Sequence, residues 1–459
     1  MLNDLTVGKP TGKILRFSLP LLLSTAIQQL YNIADSVVVG NLDSAAGLAA
    51  IGAAYPLTLF FIAVATGSSM GCSVVISQLF GAKKMRDMKS AIFTAIISLA
   101  VLGAVMSVLG LVLAGPLMQL LGCDESVFSN ARAYLAIYSA GVLPMCVYNT
   151  ANAVFTGLGD SKRPLYFLIL SSLLNIVLDI IAVGPMKLGV VGAAWATTVS
   201  QLVAAVLSAG ILIARVRALR TAERAAAFDR RLFADMGRIA VPSILQQSCV
   251  ALSHTIVQTL VNSFGYATMA GYEAASKIHN FAYMSLNTVG IALSSYVAQN
   301  YGAKRIDRIR EGYRASSIMC FVFTCCIVAL IQLIPSQLIG LFVSNAEPDY
   351  AEIIHVGKMF LRIVIPDYLL ICFVITSGGL LRGLGLVNKF FAVTMLDFTV
   401  RVSMCFVLTK VLGSYTGLYW PWYFGTVVDL AVCLFWYRGL CRNGILHLGR
   451  PDAKLYPAP

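Results

Sequence analysis

Charged residues are scarce in this sequence. Asp, Glu, Lys and Arg make up 12% of its 459 residues, and hydrophobic residues make up 58%. Soluble globular proteins carry about 25% charged residues, so this composition excludes an ordinary water-soluble domain. The mean hydropathy of +0.80 agrees. We therefore predict a chain that is solvated mainly by lipid.

Motifs of metal sites, disulfide frameworks and enzymes are missing too. The 11 cysteines and 4 histidines show no Cys-x-x-Cys or Cys/His ligand spacing, so we expect neither a structural metal nor a cofactor. There is no P-loop, nucleophile elbow, paired-carboxylate motif or glycine-rich dinucleotide loop. We predict that the protein is not an enzyme and not an ATP-driven pump in one chain.

Long apolar runs are what the sequence has instead, and each can cross the roughly 30 Å of hydrocarbon in a bilayer. They predict an all-α polytopic membrane protein. We place twelve transmembrane helices at residues 14–39, 48–79, 90–120, 130–156, 164–184, 190–215, 238–262, 270–300, 313–343, 355–381, 388–412 and 417–438.

The 34 Lys and Arg residues are distributed unevenly around these spans. Most lie in every second connection, and the other connections with the adjoining span ends hold only Arg132, Lys187, Lys358 and Lys410. Because Lys and Arg accumulate on the cytoplasmic side, both termini are predicted to be cytoplasmic, in a bacterial plasma membrane. The net charge of +13 therefore indicates topology and not a nucleic-acid partner.

The sequence also repeats itself at an offset of about 222 residues. The stretch from Gln78 to Lys84 (QLFGAKK) returns from Gln299 to Arg305 (QNYGAKR), and Pro20 and Pro144 return as Pro242 and Pro366. Matches in this order indicate duplication into two parallel six-helix halves. We predict an N-terminal lobe (1–215), a cytoplasmic linker (216–237), a C-terminal lobe (238–441) and a cytoplasmic tail (442–459).

Polar side chains inside the bilayer are costly and therefore candidates for function. In the first half they fall in one predicted layer of the outer leaflet: Asp35, Tyr138, Asn175, Asp179, Thr197 and Thr198. Their carboxylate, amide and hydroxyl oxygens could hold Na⁺, or the carboxylates could share a proton. The alternatives are an interfacial position for Asp35 and Tyr138, a helix–helix hydrogen bond for Asn175 and Asp179, and a backbone carbonyl partner for the threonines.

The second half of the sequence offers fewer candidates for a cation site. Arg401 occupies the position that duplicates Asn175, and it could pair with Asp397 four residues earlier. Asp367 follows Pro366 and could line a cavity. In the first span, Pro20 could act as a hinge or could mark helix initiation.

These motifs together resemble the multidrug and toxic compound extrusion (MATE) family. The resemblance rests on the twelve spans, the repeated Gln-x-x-Gly-Ala-Lys motif, Phe155-Thr-Gly-Leu-Gly-Asp160, Asn175-x-x-Leu-Asp179 and Gly192-Ala-Ala-Trp-Ala-Thr197. The acid in the first span and the Asn-x-x-x-Asp pair are similar to the DinF-like branch. The acid that the NorM-like branch has in span 10 is absent, because Ile371 stands there.

The resemblance implies a V-shaped pair of helical lobes that exports drugs in exchange for H⁺ or Na⁺. It further implies that Asp35, Asn175, Asp179 and the threonine of span 6 form a cation site in the first lobe, and that Pro20 bends span 1. The expected partners are small-molecule drugs and the lipid bilayer, and we expect a monomer. The alternatives are a lipid-linked oligosaccharide flippase of related architecture and a non-transporting membrane scaffold or receptor.

Overall fold

The computed structural model is all-helical over the residues that it describes, which are 3–42, 45–219, 224–344 and 347–442. Side chains are described for these residues except 32–42, 45–48 and 126. The helices are α1 Pro10–Leu42, α2 Ala45–Gly81, α3 Met85–Leu120, α4 Glu125–Ala140, α5 Val142–Gly157, α6 Lys162–Val183, α7 Gly189–Ala218, α8 Arg230–Asn262, α9 Tyr266–Gly302, α10 Ile306–Leu333, α11 Pro335–Gly340, α12 Tyr350–Val364, α13 Tyr368–Gly383, α14 Val387–Leu412 and α15 Pro421–Arg442.

Every predicted span coincides with a helix or with two consecutive helices, so the predicted fold class is confirmed. Eight helical stretches of the described chain are long and apolar enough to cross a membrane, judged by length and composition. The other predicted spans are α1, α8 and α9, where apolar residues are diluted by polar ones, and the pair α4 and α5, each of which is only 16 residues long. Helices that face protein can carry such residues, because neighbouring helices satisfy them.

The chain divides into two compact units. The first contains residues 1–4 and 19–251, and the second contains residues 5–18 and 252–459. The start of α1 thus belongs to the second unit, and α1 passes to the first unit one residue before Pro20. The predicted lobe and linker boundaries stay a prediction.

Each unit has its own apolar core. In the first unit, Phe61 of α2, Met118 of α3 and Leu135 of α4 are almost completely buried in one cluster. In the second unit, Phe360 of α12 and Tyr368 of α13 are completely buried in another. Burying aromatic side chains of this size fixes how the helices of a unit pack together.

Two of the predicted spans are interrupted close to the duplicated prolines Pro144 and Pro366. One breaks at Gly141, between α4 and α5, three residues before Pro144. The other breaks in a 3₁₀ turn at Ile365–Asp367, which contains Pro366. Proline has no N–H to offer the carbonyl of Arg362, and the Gln332 side chain donates instead to the carbonyls of Leu361 at 3.0 Å and Arg362 at 3.5 Å. The break gives Asp367 its position at the start of α13.

The repeated Gly-Ala-Lys motif ends a helix in both halves. Lys83 and Lys304 both adopt a left-handed conformation with φ of 58°. The residue after each lysine donates its N–H to a carbonyl five residues back, from Lys84 to Leu79 and from Arg305 to Asn300. This is the Schellman pattern that satisfies the last carbonyls of a helix. The motif is therefore a structural stop signal in both copies.

The second copy of this motif also holds the N-terminal segment. The N–H of Leu5, whose side chain is completely buried, donates to Gln299 Oε1 at 2.9 Å. The Asn300 side chain and the Arg305 guanidinium donate to the carbonyls of Leu5 and Thr6, at 3.4 and 2.9 Å respectively. Gln299 and Asn300 are themselves fully buried. These contacts attach residues 5 and 6 to the second unit.

Candidate functional site

The first unit contains a buried polar cluster between α6 and α7. Asn175 and Asp179 lie one turn apart on α6 and are 1% and 0% exposed. With its amide oriented to suit both neighbours, Asn175 donates to Asp179 Oδ2 at 2.8 Å and accepts from the backbone N–H of Thr197 at 3.1 Å. In the opposite orientation the Asn175 nitrogen lies 3.4 Å from Thr197 Oγ1. The fold thus brings three of the predicted site residues together.

Thr198 and Tyr138 do not take part in this hydrogen-bonded cluster among the described side chains. The Thr198 hydroxyl donates to the Ile137 carbonyl of α4 at 3.2 Å, which is the structural alternative for this residue. Tyr138 stacks on Tyr134, one turn away on α4, with ring centroids 6.0 Å apart. Of the two neighbouring threonines, Thr197 is therefore the one that faces Asn175.

Asp35 lies in α1, but its side chain is outside the described residues. Pro20 lies in the interior of α1, ten residues after the helix begins, so it does not initiate the helix. Because proline has no N–H, one carbonyl of α1 lacks its helical hydrogen-bond donor. The helix is therefore weaker at this point.

A second buried polar cluster lies in the second unit. Asp367 is 1% exposed, and its Oδ2 accepts a hydrogen bond of 2.6 Å from Thr426 of α15. Arg401 donates to Asp397 Oδ1 from two nitrogens, at 2.8 and 3.2 Å, as the spacing along α14 predicted. Asp429 of α15 belongs to the same charged environment. Arg401 thus binds one carboxylate directly and interacts electrostatically with two further carboxyl groups.

Two oxygen atoms of this second cluster have no hydrogen-bond partner among the described residues. They are Asp367 Oδ1 and Asp429 Oδ1, and both are buried. Buried polar atoms are nearly always paired. An unpartnered carboxyl oxygen is therefore consistent with an acid that is protonated or that binds a cation. The described residues contain no group of three or more His, Cys, Asp and Glu side chains that could hold a metal ion.

Aromatic side chains complete this cluster. The Arg401 guanidinium lies over the Trp422 ring at 4.1 Å, a distance typical of a cation–π contact. His279 packs edge-on against Trp422 with ring centroids 4.6 Å apart, and its Nδ1 is 2.7 Å from the Tyr368 hydroxyl. His279 is thus a bundle residue with a satisfied ring nitrogen.

Sequence reasoning missed three residues that complete the second cluster, namely Tyr368 of α13 and Trp422 and Thr426 of α15. Thr426 and Trp422 lie four residues apart on α15, and Tyr368 directly follows Asp367. Their only signal in the sequence was a polar or amphipathic side chain within an apolar run. Their partners lie about 20 to 90 residues away along the chain, which spacing on one helix cannot reveal.

Gly425 lies in close contact with the Asp397–Arg401 pair. A Cβ atom at Gly425 of α15 would collide with Asp397 Oδ1. We expect Gly425→Ala to displace the carboxylate and to lower the free energy of unfolding by about 1–3 kcal/mol, as overpacking does. Thermal unfolding of the purified protein in detergent measures this.

Gly439→Ala is the matched control for that substitution, because Gly439 also lies in α15 and has nothing within 4 Å of the added methyl group. Replacing a helical glycine by alanine alone stabilises by up to about 1 kcal/mol. Equal shifts in melting temperature for the two variants would contradict the close approach at Gly425.

Comparison with known proteins adds a second line of information. A model of the MatE family matches residues 20–181 and again residues 242–407. The probable multidrug resistance protein YoeA of Bacillus subtilis is 28% identical over 87% of this chain and 88% of its own length. A FAD transporter of Shewanella oneidensis is 27% identical over 75% of this chain and 77% of its own length. A crystal structure of MATE in complex with MaL6 superimposes with a TM-score of 0.89 and 25% identity, covering 96% of this chain and 98% of that one.

Proposed function

This chain belongs to the MatE family, and from that membership we propose that it is a secondary multidrug exporter. It exports cationic or amphiphilic compounds in exchange for H⁺ or Na⁺ by alternating access. The name of the Bacillus subtilis relative supports a multidrug substrate range. The exchange of ions is our own inference from the buried polar residues.

The observation that carries the proposal is the Asn175–Asp179–Thr197 cluster of the first unit. A carboxylate that is 0% exposed within a membrane-spanning helix is expensive to maintain unless it binds something. Asn175 positions Asp179 through its amide, and Thr197 lies beside Asn175. A proton on Asp179, or Na⁺ held by these oxygens with Asp35 as a further ligand, would remove the cost of the bare charge.

Binding of the ion must favour one conformation for coupling to occur. An ion or a drug can shift a conformational equilibrium only by the difference between its affinities for the two states. We propose that Pro20 lets α1, which carries Asp35, change its path when the charge of the first cluster changes. A membrane potential supplies about 2.3 kcal/mol per elementary charge per 100 mV, which is enough to drive export against a substantial gradient.

The second cluster has a mainly structural role in this proposal. Arg401 is bound to Asp397 and is therefore not a free ligand for a drug or an ion. Asp367, with an unpartnered oxygen, is the residue of this cluster that we propose as a further cavity or coupling group. Tyr138 lies in the first unit and is proposed as a cavity residue only.

Proteoliposomes containing the full chain and a fluorescent cation test the function. We expect an imposed pH gradient or an imposed Na⁺ gradient, applied separately, to drive efflux of the dye, and the effective gradient identifies the coupling ion. Asp35→Asn should lose this efflux, because Asn cannot bind a proton and is a poor ligand for Na⁺.

Two other results would replace the proposal. Transport of FAD without any dye efflux would assign the chain the substrate named for its Shewanella oneidensis relative. Translocation of a lipid-linked oligosaccharide without dye efflux would identify a flippase. Dye efflux that is insensitive to both ion gradients would overturn ion exchange as the driving force.

A further inference from the structure

One cavity of the second unit is lined by charged residues in one part and by apolar residues in another. It has a volume of about 860 Å³ and lies along α10, against Phe373 of α13 and Tyr437 of α15. A smaller cavity of about 300 Å³ shares Glu311, Arg314 and Ile318 with it and extends to Pro10 and Thr11 at the start of α1. Neither cavity contains a residue of the two polar clusters described above.

The charged part of this lining lies on one face of the first turns of α10. Asp307, Arg310, Glu311 and Arg314 recur at intervals of three and four residues, so their side chains share a stripe. Such neighbours could form ion pairs with each other, but among the described residues none of the four lies within ion-pairing distance of an opposite charge. Two cations and two anions are thus presented side by side to the cavity.

The apolar part continues the same stripe deeper into the predicted span. Ile318 and Phe321 follow one and two turns after Arg314, about 6 and 10 Å farther along the helix. They are 56% and 39% exposed, and exposed apolar side chains within a predicted span are suited to contact with lipid. The cavity therefore opens toward hydrocarbon below its charged rim.

We propose that this cavity binds a phospholipid whose headgroup carries a primary ammonium group next to its phosphate. Arg310 and Arg314 bind the phosphate, Asp307 and Glu311 bind the ammonium group, and an acyl chain lies along Ile318, Phe321 and Phe373. The basic loop before α10 is predicted to be cytoplasmic, so the lipid comes from the inner leaflet. This inference does not depend on the proposed transport function.

The balance of charge selects this class of lipid. A purely anionic headgroup would satisfy the two arginines but would leave two carboxylates next to its negative charge. A trimethylated ammonium group has no N–H to donate to the carboxylates. Only a headgroup with a phosphate and a hydrogen-bonding ammonium group satisfies all four side chains.

Lipid retention by the full-length protein in detergent, measured by native mass spectrometry, tests the proposal. The probes are phosphatidylethanolamine, phosphatidylcholine and phosphatidylglycerol of the same acyl chains, offered at equal concentration. We expect the ethanolamine lipid to be retained about tenfold more strongly than the other two, equivalent to one or two charge-assisted hydrogen bonds. Equal retention of all three, or preference for phosphatidylglycerol, would overturn the proposal.

Variants distinguish lipid binding at this site from general contact of the protein with lipid. Arg310→Gln together with Arg314→Gln should lower retention of phosphatidylethanolamine by about tenfold or more. Arg231→Gln, which changes an exposed arginine at the start of α8, should leave retention unchanged. If the arginine pair can be removed without loss of retention, these residues do not bind the phosphate.

A variant that gains a preference for another lipid distinguishes a change at the site from misfolding. Asp307→Asn together with Glu311→Gln leaves the two arginines without nearby negative charge, so the preference should change from phosphatidylethanolamine to phosphatidylglycerol. An unfolded protein cannot gain this preference. A variant that still prefers the ethanolamine lipid would show that the carboxylates do not contact the ammonium group.

Discussion

Asp179→Asn is expected to reduce gradient-driven efflux by at least about tenfold, toward the rate of vesicles without protein. The substitution keeps the size of the side chain and a possible hydrogen bond with Asn175, but the residue can no longer exchange a proton or carry a charge. Asp179 is 0% exposed, so the substitution acts inside the helix bundle and not at a solvated surface. Dye efflux from proteoliposomes under each imposed gradient measures the effect.

Asp235→Asn is the control for this experiment. Asp235 lies near the start of α8, is 27% exposed and is 3.5 Å from Arg238, so its charge is solvated and outside the buried cluster. We expect normal efflux from this variant and normal thermal unfolding from both. Full efflux by Asp179→Asn under the gradient that drives the wild type would refute the coupling role of the first cluster.

Arg401→Met is expected to lower the free energy of unfolding by about 3–5 kcal/mol, because it leaves Asp397 without its partner inside the bundle. The pair is 12% and 16% exposed, so solvent offers little compensation. The substitution also removes the cation over the Trp422 ring. Thermal unfolding in detergent measures the loss, and Arg438→Met, which changes an exposed arginine of α15, should have little effect.

The double variant Asp397→Asn with Arg401→Met decides whether the loss comes from the broken pair. Removing both charges eliminates the unpaired carboxylate, so the double variant should be more stable than Arg401→Met alone. It should also retain efflux if the pair has the structural role proposed for it. Additive destabilisation by the two substitutions would show that Asp397 and Arg401 are not coupled.

The helices and their order could be predicted because lipid imposes a simple rule on sequence. A segment in hydrocarbon must satisfy its backbone internally, so a long apolar run becomes a helix whatever its neighbours are. The Asp397–Arg401 pair was predictable for a similar reason, since a spacing of four residues puts both side chains on one face of a helix. The repeated motif was also visible, although its role as a helix end was not.

The membership of the polar clusters could not be predicted in the same way. Thr197 and Thr198 are adjacent and chemically identical, yet one faces Asn175 and the other bonds to the Ile137 carbonyl. Their predicted depth in the membrane placed both threonines in the same layer. The rotation of α7 against α6 and α4 determines which of the two faces Asn175. Helix rotation depends on packing across the whole interface, which no local pattern records.

The sequence by itself determined that this chain spans a membrane as two related sets of helices, because apolar length, charge asymmetry and repetition act locally along the chain. The tertiary structure alone decided that Asp367 meets Thr426 and that residues 5–18 join the second unit. Those contacts connect groups that are tens to hundreds of residues apart along the chain. They form only when helices that are already specified pack against one another, so they follow from shape and hydrogen bonding across helix interfaces and not from any single segment.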